Sequence, residues 1–492
     1  MNNKFWKILI PMLLLLGVLL TGCKGNGDPV DTTPNTDYAD DEDDGYVKDQ
    51  IPSSLKYGGE EFTVLHWISE VTEFGCNSYT GDLVNDACYE RDLTVQERLN
   101  VTLNFQEEPG GSDQGQVDRF CAKVQNASAA GDYFDLIATY GRTAATLSYQ
   151  GYLADMLDIE YSYLNFENPW WSSGLLEELR VGEALFLASG DISTTIVQMS
   201  QGIFYNVDML ESYQLTDPYE HVKNNTWTME TFYTYLESIN ATPDSGTGYA
   251  YVSNYWSIAS LFHGCDVPLM TIDADGYPTM NPDLYGEKAV GIMDKLGEYA
   301  AKENFLVASE DDATFRPFYE GNALFVNTSI GNSRLWTQNA TFKYNIVPTP
   351  KYNADQAEYI TTLRNSITVY SMMSGQSQAM LTKLSAIMEC MASEGYRKTT
   401  PAIYNDCLLS RYVNVVQMPE MLELIHSTVT YDFGRIYSMK QTNYLCDRIG
   451  RIIQQDPARS EYGKTWTSFG NSEGGSTAAQ FQLIVDNLKA LA

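Results

Sequence analysis

The chain has 492 residues, and its 31 Lys and Arg against 64 Asp and Glu give a formal net charge of −33 at pH 7. Such a charge repels phosphate backbones and anionic lipid surfaces, which excludes charge-driven binding to nucleic acid or to a membrane. The length suits two or three compact units, and 44% hydrophobic residues is the composition of a folded protein.

Lys4 and Lys7 precede an apolar run from Ile8 to Leu20, closed by Leu20-Thr21-Gly22-Cys23. The run is shorter than the roughly 20 residues of a spanning helix and ends at small residues, so it reads as an export signal. Its end resembles the lipobox of bacterial lipoproteins, which implies a signal peptide over 1–22, cleavage before Cys23 and a lipid on that cysteine. From Lys24 to about Ser54 the chain is rich in Gly, Pro, Thr, Asn and Asp, with the acidic run Asp40-Asp41-Glu42-Asp43-Asp44. With almost nothing apolar to bury, residues 23–54 are expected to form a disordered, self-repelling tether.

Order is expected from Gly58, with a β-branched and aromatic strand over Glu61–Trp67. Val84, Ala87, Cys88, Val95 and Leu99 then recur at helical spacing up to Asn100, and Val101, Leu103 and Phe105 alternate as a second strand. That order is a parallel βαβ unit. A helix around Val117–Ala127 and a buried strand over Tyr133–Thr139 extend it into an α/β lobe. Next come a helical stretch opened by Asn168-Pro169-Trp170-Trp171, a strand over Val181–Ala188 and a helix over Met229–Ile239 capped by Thr228. A turn at Asp275-Gly276 and a helix over Leu284–Lys302 follow. Further strands are expected around Ala323–Asn327, Tyr344–Pro350 and Thr361–Tyr370, with helices over Gln376–Glu394, Pro419–Thr428 and Ala478–Leu491.

Beside Cys23 stand seven cysteines. Cys76 with Cys88, or Cys390 with Cys407, lie close enough in sequence to pair, but spacing assigns no connectivity, and an odd number leaves one thiol over. His66, His221, His263 and His426 lack metal-ligand spacing, so neither a metal nor a cofactor is expected.

The lipobox, the acidic linker and a lobe carrying FDLIAT and GYLADM precede GDIS, FYNVDML, NNTWTMETF, EGNALFVN, IVPTPKYN and YDFG. In that order they resemble the extracellular solute-binding proteins, family 1, of ABC importers. The resemblance implies a receptor, not an enzyme, with a two-lobe α/β fold of the periplasmic-binding-protein type (type II) and ligand in a hinged interlobe cleft. Carried onto this chain, 55–192 and 366–418 form lobe one, and 193–365 and 419–492 form lobe two. The implied partners are a carbohydrate, most often an oligosaccharide, and permease subunits. The receptor is expected as a lipid-anchored monomer on the extracytoplasmic face.

A sugar site needs aromatic platforms among carboxylates, amides and guanidinium groups, and clefts of open α/β sheets lie at the carboxyl ends of strands. Trp67 ends the first strand, Tyr140 and Arg142 follow the third, and Asp191 lies on the crossing between lobes. In maltose-binding-type relatives those places face ligand, by position and not by residue identity. Asn327, Arg334 and Trp336 follow from ALFVN, and Trp256 offers a platform from lobe two, with core packing as its other reading. Trp170, Trp171 and Trp227 read as packing residues. Three other functions compete: the same receptor binding a peptide or another polar nutrient, an adhesin, and an extracellular glycoside hydrolase. The last needs two carboxylates about 5–10 Å apart, and no nucleophile elbow, zinc motif or P-loop is present.

Overall fold

A computed structural model describes residues 45–172, 174–239, 248–308, 312–337, 340–408, 416–454 and 465–492. The signal segment and residues 23–44 of the expected tether lie outside them. In chain order the strands are β1 (Glu60–Trp67), β2 (Val101–Glu108), β3 (Leu136–Tyr140), β4 (Gln201–Asn206), β5 (Tyr249–Asn254), β6 (Met270–Ile272), β7 (Pro278–Met280), β8 (Phe305–Ala308), β9 (Ala323–Ser329), β10 (Tyr344–Val347), β11 (Thr361–Thr362), β12 (Thr368–Met372) and β13 (Val429–Thr430).

They build two main sheets, one in the order β12-β3-β1-β2 and the other β10-β4-β9-β5-β8. In the first, β1 runs parallel to β2 and β3, as the βαβ pattern requires, and β12 closes the far edge antiparallel to β3. In the second, β5 is parallel to β8 and β9, while β4 is antiparallel to β9 and β10. The chain therefore leaves the first sheet after β3, builds the second, and returns with β12.

Local chemistry explains the elements. The helix Leu83–Leu99 starts where the Asp82 side chain accepts the Val84 and Asn85 amides, and it stops at Asn100, whose φ of 49° is left-handed. It buries Val84, Ala87, Cys88, Val95 and Leu99, the spacing read from the sequence. Thr228 caps Met229–Ser238 as expected, and that helix brings Phe232 within 5.6 Å of Phe325 on β9. Trp227 joins this core 6.1 Å from Phe325 and donates its indole N–H to the Pro348 carbonyl at 2.8 Å.

Three expectations are corrected, and the open question of cysteine pairing is answered. Val181–Ala188 is no strand: Val181 bridges to Ala184 and Ala188 to Tyr370, while the Leu185 amide donates to the Asp155 carboxylate at 2.9 Å, so no continuous ladder forms. The stretch opened by Asn168 is non-helical over 168–172, where Trp171 bridges to Gly190, and the helix there is the short Leu175–Leu179. All seven described cysteines are buried free thiols. Finally, residues 45–51 are docked and do not belong to a loose tether. Tyr46 meets Tyr396 edge-to-face at 5.4 Å, Ile51 is buried, and Arg98 donates Nη1 to Asp49 at 2.6 Å.

Burial pushes the Asp49 carboxyl up, but Arg98 outweighs it and holds the group below its ordinary value. The ion pair therefore stabilises the fold above about pH 4 and fades as pH falls further. Asp49→Asn is expected to cost about 1–3 kcal/mol near neutral pH, read from urea denaturation, with the gap to the parent closing in acid.

Candidate ligand-binding site

Both sheets send their carboxyl-terminal loops to one place. Glu70, Val71 and Thr72 follow β1, and Ser329 ends β9 and leads into the turn Ile330–Ser333. Between them stands the short helix Thr194–Gln198, whose start is capped by Ser193 Oγ accepting the Thr195 amide at 3.1 Å. Gly331 lets the turn lie against this helix, since a Cβ there would sit 3.1 Å from the Gln198 carbonyl. Asn332 is oriented by donating Nδ2 to Thr328 Oγ1 at 2.7 Å.

These loops, with Arg334 and Arg364, enclose a cavity of about 500 Å³. That volume fits a small ligand. Arg364 is fixed by its own amide, which donates to the Met199 carbonyl at 2.8 Å, and its guanidinium stands 3.4 Å from the Glu70 carboxylate. Ser366 Oγ donates to the same carboxylate at 2.8 Å. Gln198 is 4% exposed, and its Nε2 has no hydrogen-bond partner among the described residues.

Of the residues singled out in the sequence, Arg334 lines this cavity. It also joins the two sides, with Nε 2.5 Å from Asp406 and Nη2 3.4 Å from Asp82. Arg142 lines a second, smaller cavity and places Nη2 2.8 Å from both Asp447 oxygens. The others line neither. Trp67 is 1% exposed, donates its indole N–H to Thr368 Oγ1 at 2.8 Å, and packs 5.4 Å from the equally buried Tyr140. Thr368 passes that contact on to Glu73 at 2.6 Å, and burial pushes the Glu73 carboxyl up to about 6.

Asn327 is held within the second sheet, accepting from Tyr251 at 2.9 Å and donating to the Gly202 carbonyl at 3.0 Å. Trp336 is fully buried between Phe204 and Phe318. Trp256 is half-buried against Tyr255 at 4.4 Å. Asp191 is 1% exposed and bound by Thr400 at 2.5 Å and by His426 at 3.1 Å.

Sequence reasoning missed Glu70, Thr72, Gln198, Ser329, Asn332 and Arg364. The usable signal was the strand end itself. Glu70 stands three residues beyond Trp67, and Asn332 five beyond Asn327, in loops without periodicity.

The family profile described as bacterial extracellular solute-binding protein matches residues 92–369. A comparison with curated proteins finds no match. Among solved structures, a cyclo/maltodextrin-binding protein complexed with maltotetraose is 13% identical, with 88% of this chain and 98% of that one covered at a TM-score of 0.53. A family 1 extracellular solute-binding protein from Bifidobacterium longum subsp. infantis is 12% identical, covering 87% and 100% at 0.52. The GacH receptor of Streptomyces glaucescens, solved unliganded and with acarbose, is 14% identical, covering 88% and 98% at 0.50. These likenesses establish the two-lobe periplasmic-binding-type fold.

Proposed function

Because the chain belongs to the bacterial extracellular solute-binding proteins, the receptors of ABC importers, we propose that it captures a carbohydrate between its two sheets while a lipid on Cys23 holds it at the membrane. The observation that carries the ligand class is the cavity of about 500 Å³ walled by amide, hydroxyl and charged side chains. Gln198 and Asn332 supply amides, Thr72 and Ser329 hydroxyls, and Arg334 and Glu70 groups that fork onto vicinal hydroxyls. The saccharide-binding neighbours of the same fold support the reading. Lobe one in this proposal is 55–192 with 366–418, lobe two is 193–365 with 419–492, and the crossing at Asp191 is the hinge. The receptor acts as a monomer and performs no chemistry on what it carries.

A second ligand class, a peptide or another polar nutrient, is favoured by one fact. Among the described residues the lining of the larger cavity is polar, charged or aliphatic, with no aromatic side chain, a wall that suits a peptide or another polar solute as well as a sugar.

A thermal-shift screen of residues 24–492 against oligosaccharides, peptides and polyamines separates the two. A ligand at about 100 times its dissociation constant stabilises the folded chain by about 2.7 kcal/mol, so a sugar hit is expected as a clear rise in melting temperature. Scattering should then show a smaller radius with the sugar bound. A hit among peptides alone discards the sugar. Cys23→Ser in the exported precursor is expected to move the protein from the membrane to the soluble fraction, and retention at the membrane would overturn the lipid anchor.

A further inference from the structure

Arg334 stands at the seam between the two lobes. It opens the short helix Arg334–Thr337, whose Trp336 is buried against Phe204 and Phe318 in the core around the second sheet. Its guanidinium reaches out of that lobe. Nε lies 2.5 Å from Asp406 and Nη2 3.4 Å from Asp82. Asp82 caps the helix Leu83–Leu99, with Oδ1 accepting the Val84 and Asn85 amides while Oδ2 faces Arg334. Asp406 lies near the end of the helix Thr399–Cys407, which is tied to Leu83–Leu99 where Lys398 donates Nζ to Thr94 Oγ1 at 2.8 Å.

The neighbours of this ion pair meet as well: Ser333 Oγ is 3.5 Å from Cys407 Sγ. Ser333-Arg334 of lobe two therefore lies against Asp406-Cys407 of lobe one. A second pair of the same sense lines the cavity, where Arg364 of lobe two stands 3.4 Å from Glu70 of lobe one.

Exposure decides what the seam can do. The Arg334 and Asp82 side chains are 38% and 45% exposed. An ion pair so open to water is screened by salt and changes an equilibrium by only about two- to fivefold. That is negligible for the fold as a whole. It counts for two lobes that rock about a hinge, because open and closed forms of such a protein differ by little free energy.

Resting on the two-lobe division and the capture reading above, we propose that Asp82 and Asp406 are a latch: they hold Arg334, and with it lobe two, close to lobe one before any ligand arrives. Arg334 also lines the cavity, so the latch fixes its place on the wall. Both aspartates stand outside that lining and act through Arg334, as positioning residues. The latch biases the cleft toward closure without completing it, and ligand supplies the rest. Since the closed fraction scales the apparent affinity for every ligand alike, the latch tunes capture without choosing what is captured.

The test needs no ligand: small-angle scattering of residues 24–492 and of the double variant Asp82→Asn with Asp406→Asn. Both substitutions keep volume, and Asn retains the helix cap at position 82, so the melting temperature is expected to stay near the parent's. At low salt the variant should have the larger radius, and the difference should shrink in about 1 M salt, where charges are screened beyond about 3 Å. An equal or smaller radius for the variant at low salt overturns the latch.

If the double variant fails to fold, Ser333→Cys decides. Oxidised glutathione should join the new thiol to Cys407, and the cross-linking rate should fall by about two- to tenfold in high salt, the range of one or two exposed ion pairs. A rate indifferent to salt, or no cross-link, overturns the proposal. A latch that responds while no saccharide raises the melting temperature keeps the latch and discards the carbohydrate. A saccharide that binds while the radius ignores both aspartates discards the latch alone.

Discussion

Trp336→Ala is expected to lower the stability of the folded chain by about 3–5 kcal/mol, the usual cost of emptying a large aromatic site. The indole is fully buried. It meets Phe204 of β4 edge-to-face at 5.0 Å and Phe318 of the helix Asp312–Tyr319 at 5.3 Å, and Phe318 in turn meets Phe342 at 5.5 Å. Removing the central ring therefore unseats a helix from the sheet. Its indole N–H has no hydrogen-bond partner among the described residues, so Trp336→Phe removes that donor along with some volume and is expected to cost less than half as much. Urea denaturation of the two variants checks the ranking. A loss below about 1 kcal/mol with ligand binding abolished would instead make Trp336 a sugar platform.

The second large effect is a loss of stability in alkali. Burial alone would lower the His426 pKa, but the Asp191 carboxylate 3.1 Å away, with Glu423 near it, raises it to about 9. The unfolded chain binds that proton with a pKa near 6.5. The folded state holds it more tightly, so the contribution is complete below about pH 6.5 and vanishes as pH rises through about 9. The difference corresponds to about 3 kcal/mol. Thr400, Tyr404 and Tyr396 are the other polar groups packed around the pair, and neither tyrosine ionises in this range because burial pushes both phenols up. Melting temperatures of the parent and of His426→Gln should differ most near pH 6 and converge near pH 10. A constant gap across that range would show that the charge on His426 contributes nothing.

The fold was legible where periodicity and end signals agreed. Leu83–Leu99 shows its buried stripe, its Asp82 cap and its Asn100 stop, and β1 and β2 flank it as alternating strands. Val181–Ala188 misled because its apolar run is buried against neighbours without pairing along its length. For the site, the rule of strand ends led to Arg334, which lines the larger cavity, and also to side chains packed in the interior. Trp67, Asn327 and Trp336 carry the same local signal whether they face a ligand or a core, and all three face the core. Gln198, Arg364 and Glu70 carry no local signal at all, since three separate loops must fold before they meet.

The return of β12 to the first sheet sets an order on assembly. A chain made from its N-terminus emerges with β1, β2 and β3 ready to pair, but Thr368–Met372, which covers β3, comes only after the entire second sheet. Until then β3, whose residues are all buried in the finished protein, offers a bare, flat, apolar edge to any passing strand. Such long-range pairing is slow and leaves an interval in which wrong partners compete. A fragment ending before Thr368 should therefore aggregate, however complete its first three strands are.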